Sequence, residues 1–290
     1  MMKKPKVIGL GEVLWDMLPS GNQLGGAPAN VAFHAMQLGA DALVVSAIGD
    51  DELGVELANT LSSMGLQHLL QQSSSGTGTV GVHLEDGIPM YSIKEGVAWD
   101  EIRSSNELDE LARTADAVCF GTLAQRNHVS RETIQLFLSR LSPEAICLCD
   151  LNLRQQYYTK ETIIDSLKAC NVLKINDYEL DVLSSLLRLP AGEEAKLQQL
   201  AADFSLNIIA LTKGSEGSLL YTADELSHFS AKTITVADTI GAGDSFSAAL
   251  IMGLIQKKSL RHMHEHATRI SAYVCQQHGA MPVLPKELIY

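Results

Sequence analysis

The run Asp238-Thr239-Ile240-Gly241-Ala242-Gly243-Asp244-Ser245-Phe246 sets an acid inside a glycine-rich turn between two apolar stretches. Thr233 to Ala237 before it is apolar and β-branched. Ser245 to Ile255 after it is apolar and Ala-rich and predicts a helix. A helix that opens on two glycines leaves backbone N–H groups unpaired and accessible, and its dipole adds partial positive charge, which suits a phosphate or another anion. Asp244 sits within that turn, where a carboxylate can also act as a base. A plainer reading is an Asp cap with glycines that allow tight packing. The local residues leave both readings open.

The elements around the turn weigh on that choice. Lys6 to Glu12 predicts a first strand buried on both faces, followed by the turn Gln23-Leu24-Gly25-Gly26-Ala27-Pro28 and a helix over Asn30 to Leu38. A strand over 43–48 and a helix over 51–64 follow. Thr79 to Glu85 and Met90 to Lys94 alternate about Asp86-Gly87 and predict an antiparallel hairpin. Helices then alternate with strands: helices at 106–113, 130–141, 160–170, 177–187 and 193–204, strands at 117–121, 145–150, 172–175 and 207–212. A hairpin-like pair at 217–221 and 226–236 precedes final helices at 244–256 and 259–277. This pattern predicts an α/β fold of three layers, a mostly parallel central sheet with helices on both faces and a small β-sheet standing off it. No linker or repeat divides the chain, so we expect one core domain over 1–290, with a β lid formed by about 12–24 and 77–101.

In such folds, ligands collect at the carboxyl ends of strands. The polar residues there are Asp16 with Gly25-Gly26, Asp150-Leu151-Asn152-Leu153-Arg154, Asn176-Asp177-Tyr178-Glu179, Thr212-Lys213-Gly214 and the 238–246 turn. Five strand ends bearing acids, amides and glycines predict one convergent site, and this favours the chemical reading of Asp244.

Bulk properties narrow the partners. A formal net charge of −12 over 290 residues argues against nucleic acid or an anionic membrane surface. Cys119, Cys147, Cys149, Cys170 and Cys275 form no CxxC pair, and those in apolar runs read as reduced core thiols. No stretch reaches the roughly 20 apolar residues of a membrane span, and the N-terminus lacks the features of a signal peptide. A cytoplasmic protein is expected. His262, His264 and His266 read as a solvated helix face rather than a metal site. The chain contains no Walker-type phosphate loop. Gly76-Thr77-Gly78-Thr79-Val80-Gly81 matches GxGxxG but leads into a strand, where a dinucleotide site needs a helix.

The 238–246 turn resembles the second signature of the ribokinase-like (phosphofructokinase-B) carbohydrate kinases. Gly25-Gly26-Ala27-Pro28-Ala29-Asn30-Val31-Ala32, running on to Gly39 and Ile48-Gly49-Asp50-Asp51-Glu52-Leu53-Gly54, resembles the first. Asn176-Asp177-Tyr178-Glu179 resembles the N-x-x-E element and Thr212-Lys213-Gly214-Ser215-Glu216-Gly217 the T-x-G-x-x-G element of that family. The four are collinear over essentially the whole chain. Gly11-Glu12-Val13-Leu14-Trp15-Asp16, Ala27-Pro28-Ala29 and Phe120 to Arg126 look most like the bacterial fructokinase branch.

The resemblance implies ATP-dependent phosphorylation of a primary hydroxyl of a free sugar, most simply fructose to fructose 6-phosphate. It implies Asp244 as base, with Gly241, Ala242 and Gly243 facing the transferring phosphoryl group. Asp16, Gly25, Gly26 and Asn30 would hold the sugar, with Arg126 and Arg154 as further contacts or as charge stabilisers near the phosphates. Thr212, Gly214, Gly217, His278, Gly279 and Ala280 would line the nucleotide. Asn176 and Glu179 would organise Mg²⁺ through its waters, although a helix N-cap with an acid at its third position explains both residues equally well locally. Asp238 would anchor a monovalent cation such as K⁺. A homodimer through the lid is expected. The rival acceptors are 2-keto-3-deoxygluconate, ribose or a nucleoside, and the rival class is a non-catalytic sugar or nucleotide sensor of the same fold.

Overall fold

The computed structural model describes residues 3–18, 21–85 and 88–289. In chain order it runs β1 (Lys6–Leu10), β2 (Leu14–Leu18), β3 (Gly21–Gly25), α1 (Ala27–Gln37), β4 (Asp41–Gly49), α2 (Glu52–Ser63), β5 (Gln67–Ser73), β6 (Thr79–Glu85) and β7 (Ile88–Ile93). It continues through α3 (Asn106–Thr114), β8 (Ala117–Phe120), α4 (His128–Ser139), β9 (Ile146–Asp150), α5 (Lys160–Ala169), β10 (Val172–Asn176), α6 (Asp177–Leu187) and α7 (Glu193–Phe204). β11 (Ile208–Thr212), β12 (Ser218–Tyr221), β13 (Leu226–Phe229), α8 (Ala242–Ile255) and α9 (Leu260–Val274) complete it.

A nine-stranded sheet has the order β13-β12-β11-β10-β9-β8-β1-β4-β5. Pairing is parallel from β11 to β5, and β12 and β13 add an antiparallel edge. Strand residues alternate between two cores. Val7 of β1 joins the side on which α1, α8 and α9 lie, packed with Val31, Leu250 and Ile270. Ile8 joins the other side with Leu108 of α3, Ile134 of α4 and Ile163 of α5. Both faces are therefore covered, which is why the central strands read as near-continuous apolar runs. After β1 the chain moves outward to β4 and β5, then returns to β8 on the other side of β1. That reversal opens a crevice at the carboxyl ends of β1 and β8.

A second sheet, ordered β3-β2-β6-β7, stands apart from the first. β2 runs parallel to β6, with Trp15 opposite Thr79, and its other pairings are antiparallel. The stretch that follows belongs to the main body. Val97, Trp99 and Ile102 are fully buried, and the Trp99 indole leaves no room for a side chain at Gly78.

Three expectations change. β5 was not anticipated, because Gln67-His68-Leu69-Leu70-Gln71-Gln72-Ser73 is an edge strand whose polar side chains mask its period. The expected strand at 226–236 ends at Phe229, and 230–236 form no regular element. His264 and His266 do not belong to a solvated face: they are buried, with His264 between Ser218 and Ser227 and His266 against the carbonyl of Leu288. Arg261, His262 and Glu265 between and beside them are exposed.

Candidate active site

A cavity of about 700 Å³ opens at the crevice, lined by Glu12, Asp16, Gly25, Gly26, Asn30, Asp150, Asn152, Arg154, Lys174, Asn176, Glu179, Thr212, Gly241, Gly243 and Asp244 among others. The second sheet contributes Leu14, Asp16, Leu18, Val80 and Ile93 to its wall. A larger, shallow groove of about 790 Å³ along α2 carries acids and no cation in its lining. It touches the 48–54 end of the first signature through Asp50, Asp51 and Glu52 but shares no residue with the 25–32 or 238–246 turns.

α8 begins at Gly241, whose φ of 77° is left-handed, and no side chain caps the helix. A Cβ at Gly241 would stand 2.6 Å from the Ala280 backbone, so the turn is seated directly on residue 280. The first hydrogen bond of the helix runs from Ser245 N to Gly241 O. Ala242 N bonds the Thr239 carbonyl at 3.3 Å, whereas Gly241, Gly243 and Asp244 line the cavity ahead of the helical ladder.

Asp244 occupies the third position of α8. Asn30 of α1 donates from Nδ2 to its Oδ2 at 2.6 Å. Burial, with Asp150 adding repulsion, raises its pKa to about 6, against the Asn30 hydrogen bond and the charges of Lys174 and Arg154. At neutral pH it is mostly ionised yet able to take a proton.

Beneath the turn lies an arrangement that sequence reasoning missed. Lys174 of β10 stands in register with Asp150 of β9. Its Nζ donates to both carboxylate oxygens, at 3.0 and 2.9 Å. Ser247, one turn along α8 from Asp244, donates to Asp150 Oδ2 at 2.9 Å. Burial disfavours charge on Lys174, but Asp150 and Glu179 outweigh it and hold its pKa above the ordinary value. A Lys inside the apolar strand Val-Leu-Lys-Ile was the available signal, because a buried ammonium must find a partner.

Asn176 and Glu179 form a capping box. Asn176 Oδ1 accepts from Glu179 N at 2.8 Å, and Glu179 Oε2 accepts from Asn176 N at 2.9 Å. Glu179 Oε1 also accepts from Leu153 N at 2.8 Å, which ties the β9 loop to α6. Burial raises the Glu179 pKa, with Lys174 opposing. Among the described residues, no three His, Cys, Asp or Glu side chains gather around one point. Asn176 Oδ1 and both Glu179 carboxylate oxygens already accept backbone N–H groups, so with Asn152 on the cavity wall they suit contact through a metal's waters better than direct ligation.

On the far wall, Asp16 is pushed up to about 6 by burial, with Arg154 opposing. A Cβ at Gly25 would come within 2.5 Å of its carboxylate, and one at Gly26 within 2.4 Å of the Glu12 carbonyl, so the two glycines let the chain fold over these acids. Glu12 is also part of the wall and was missed as a site residue. Burial raises its pKa to about 7 against nearby backbone N–H groups and Arg154, and its Oε2 has no hydrogen-bond partner among the described residues.

Several expected residues lie elsewhere. Arg126 is not on the cavity wall. Its guanidinium makes two bonds to Asp100, at 2.7 and 2.8 Å, and stacks 3.9 Å from the Trp99 ring and 4.8 Å from Tyr157. It joins the base of the second sheet to the main body. Thr212 lines the cavity, whereas Gly214 and Gly217 shape the tight turn into β12 behind it. Asp238 accepts from Ile240 N at 3.0 Å and Gly279 N at 3.2 Å, so it ties the anion-facing turn to the 278–280 loop. Ala280 packs against Gly241, and His278, Gly279 and Ala280 are not among the residues that line the cavity. Ala242 provides the first helical residue.

Residues 20–287 match the pfkB family carbohydrate kinase. The chain belongs to that family. It is 26% identical over 266 residues to a putative sugar kinase of Pyrococcus horikoshii, covering 88% of this chain and 82% of the relative. It is 26% identical over 308 residues to a fructokinase of Escherichia coli, covering 97% and 96%. The crystal structure of the Xylella fastidiosa fructokinase with bound ATP superposes with a TM-score of 0.86 at 21% identity, over 99% of this chain and 97% of that one. The fold of this carbohydrate kinase is thus ribokinase-like.

Proposed function

We propose that this kinase transfers the γ-phosphoryl group of ATP to the primary hydroxyl of fructose, giving fructose 6-phosphate and ADP. The observation that carries the reading is Asp244, ionised and held by Asn30 at the opening of an uncapped helix, in one cavity with Asp16, Gly25 and Gly26. The similarity to the fructokinase of Escherichia coli supports the choice of sugar.

In this reading Asp16 and Asn30 accept and donate hydrogen bonds to sugar hydroxyls, and the backbone at Gly25-Gly26 allows close approach. Asp244 takes the proton of the primary hydroxyl as its oxygen attacks the γ-phosphorus in line. The bond from that phosphorus to the oxygen bridging it to the β-phosphate breaks, and ADP leaves. N–H groups at Gly241, Ala242 and Gly243, with the α8 dipole, face the charge on the transferring group. Catalysis of this kind is mostly positioning and preorganised electrostatics. Lys174 adds a fixed positive charge beneath the turn, and Arg154 another at the cavity wall. Mg²⁺ carried in with the nucleotide would neutralise phosphate charge, with Asn176 and Glu179 beside its waters. Thr212 and the 278–280 loop would border the nucleotide. Asp238 is the proposed anchor for K⁺, and a K⁺ titration of the rate tests it.

The second sheet would act as the lid, excluding water so that ATP is not hydrolysed without sugar. Its outer face is the proposed dimer contact, which sedimentation decides. A second reading, 2-keto-3-deoxygluconate as acceptor, is favoured by Arg154 on the wall, since a guanidinium pairs well with a sugar acid. ADP release measured with fructose, 2-keto-3-deoxygluconate, ribose and adenosine tests the assignment. Fructose should give the highest kcat/KM. Silence on all four from folded, ATP-binding protein would instead indicate a sensor.

A further inference from the structure

Three polar residues of α1 share one stripe at i, i+4 and i+7: Asn30, His34 and Gln37. The first holds the base, as described. One turn on, fully buried His34 places Nε2 2.9 Å from the backbone carbonyl of Ala280. Further along, Gln37 bonds the C-terminal segment twice, donating to Pro282 O at 3.1 Å and accepting from Leu284 N at 2.7 Å. Ala280 is the residue against which Gly241 is seated.

A carbonyl only accepts, so His34 Nε2 carries the proton and Nδ1 keeps its lone pair. Nδ1 is buried and has no hydrogen-bond partner among the described residues. A core histidine with no task beyond packing could be replaced by an apolar side chain that would bury no such orphan. Burial, opposed only by the Ala280 carbonyl, lowers the pKa to about 4, so the ring stays a neutral, single-tautomer donor throughout the neutral range.

We infer that His34 is a positioning residue for phosphoryl transfer: its bond to Ala280 fixes the backbone on which Gly241 rests, and so joins the helix that holds Asp244 to the turn that faces the phosphoryl group. This rests on the reading of Asp244 and the 241–243 turn proposed above. Because Gln37 separately anchors residues 282–284, loss of the His34 bond frees residue 280 locally without detaching the segment.

The test compares His34→Gln, His34→Asn and His34→Leu. Gln carries its amide nitrogen as far from Cβ as Nε2 stands in His, whereas Asn reaches only as far as Nδ1. With whichever sugar the wild type turns over, the Leu and Asn variants should lose about tenfold or more in kcat with sugar KM within about twofold, and Gln should retain kcat within about threefold. A structural role alone would move the thermal midpoint without this ordering. A folded Leu variant with wild-type kcat, or Gln and Asn variants of equal rate, would overturn the inference. Amide exchange at Gly241–Asp244 is measured in parallel. It should quicken in Leu and Asn and recover in Gln, and unchanged exchange in all three overturns the inference. If the wild type turns over no sugar, the kinase reading fails by itself and the exchange ordering alone decides the role of His34.

Discussion

Asn30 and Asp244, 214 residues apart in the chain, meet at 2.6 Å between α1 and α8. The amide both orients the carboxylate and favours its ionised form, countering burial and the nearby Asp150. Asp244→Asn should lower kcat by about 10²-fold or more while nucleotide affinity, measured by titration, stays near wild type. Turnover close to wild type would remove Asp244 from the role of base.

The same contact sets a pH profile. The base must be unprotonated, so kcat/KM should fall as pH drops through about 6, the value to which Asp244 is raised. Asn30→Ala removes a bond that lowers that pKa, and the acid limb should move upward.

Stability should move the opposite way. The folded pKa of Asp244 lies above its ordinary value, so its contribution is full at low pH and is lost as pH rises through about 6. Asp244→Asn removes that cost and should raise stability above pH 7 by up to about 3 kcal/mol, with the gain vanishing near pH 4. Denaturant titrations at pH 5 and pH 8 check the sign.

Asp150 and Lys174 form a buried pair. Lys174→Met leaves the carboxylate uncompensated and should cost about 3–5 kcal/mol. Adding Asp150→Asn should recover most of the stability but not the rate, because the fixed charge beneath the turn is gone. Recovery of rate together with stability would restrict Lys174 to a packing role.

Gly241→Ala should nearly abolish turnover, since its φ of 77° and the Ala280 backbone at 2.6 Å leave no space for a methyl group. Arg126→Ala should cost stability through Asp100 and Trp99 yet leave ATP affinity near wild type. A large loss of affinity with unchanged stability would return Arg126 to the nucleotide.

Much of the fold was legible because the period of each segment is local. The helix over 177–187 and the strand ends at Asp150 and Thr212 coincide with their expected positions, and β10 runs one residue past its expected end, to Asn176. β5 was lost where polar side chains on an edge strand blur the alternation, and His264 where charged neighbours hid its inward direction. Glu12, His34 and Lys174 were missed as working residues for a common reason. Each is surrounded in sequence by apolar residues, and its partner comes from another element.

The sequence by itself determined the succession of elements, the glycine turns that need a backbone without Cβ, and the acid at the head of α8, because these depend on neighbours within a few residues. Only the tertiary structure decided that Asn30 grips Asp244, that Asp150 pairs with Lys174 beneath the turn, and that Arg126 serves the Trp99 stack and not the cavity. Those pairings depend on strand register and on which helix covers which face. Packing of distant segments sets both, and no local pattern records them.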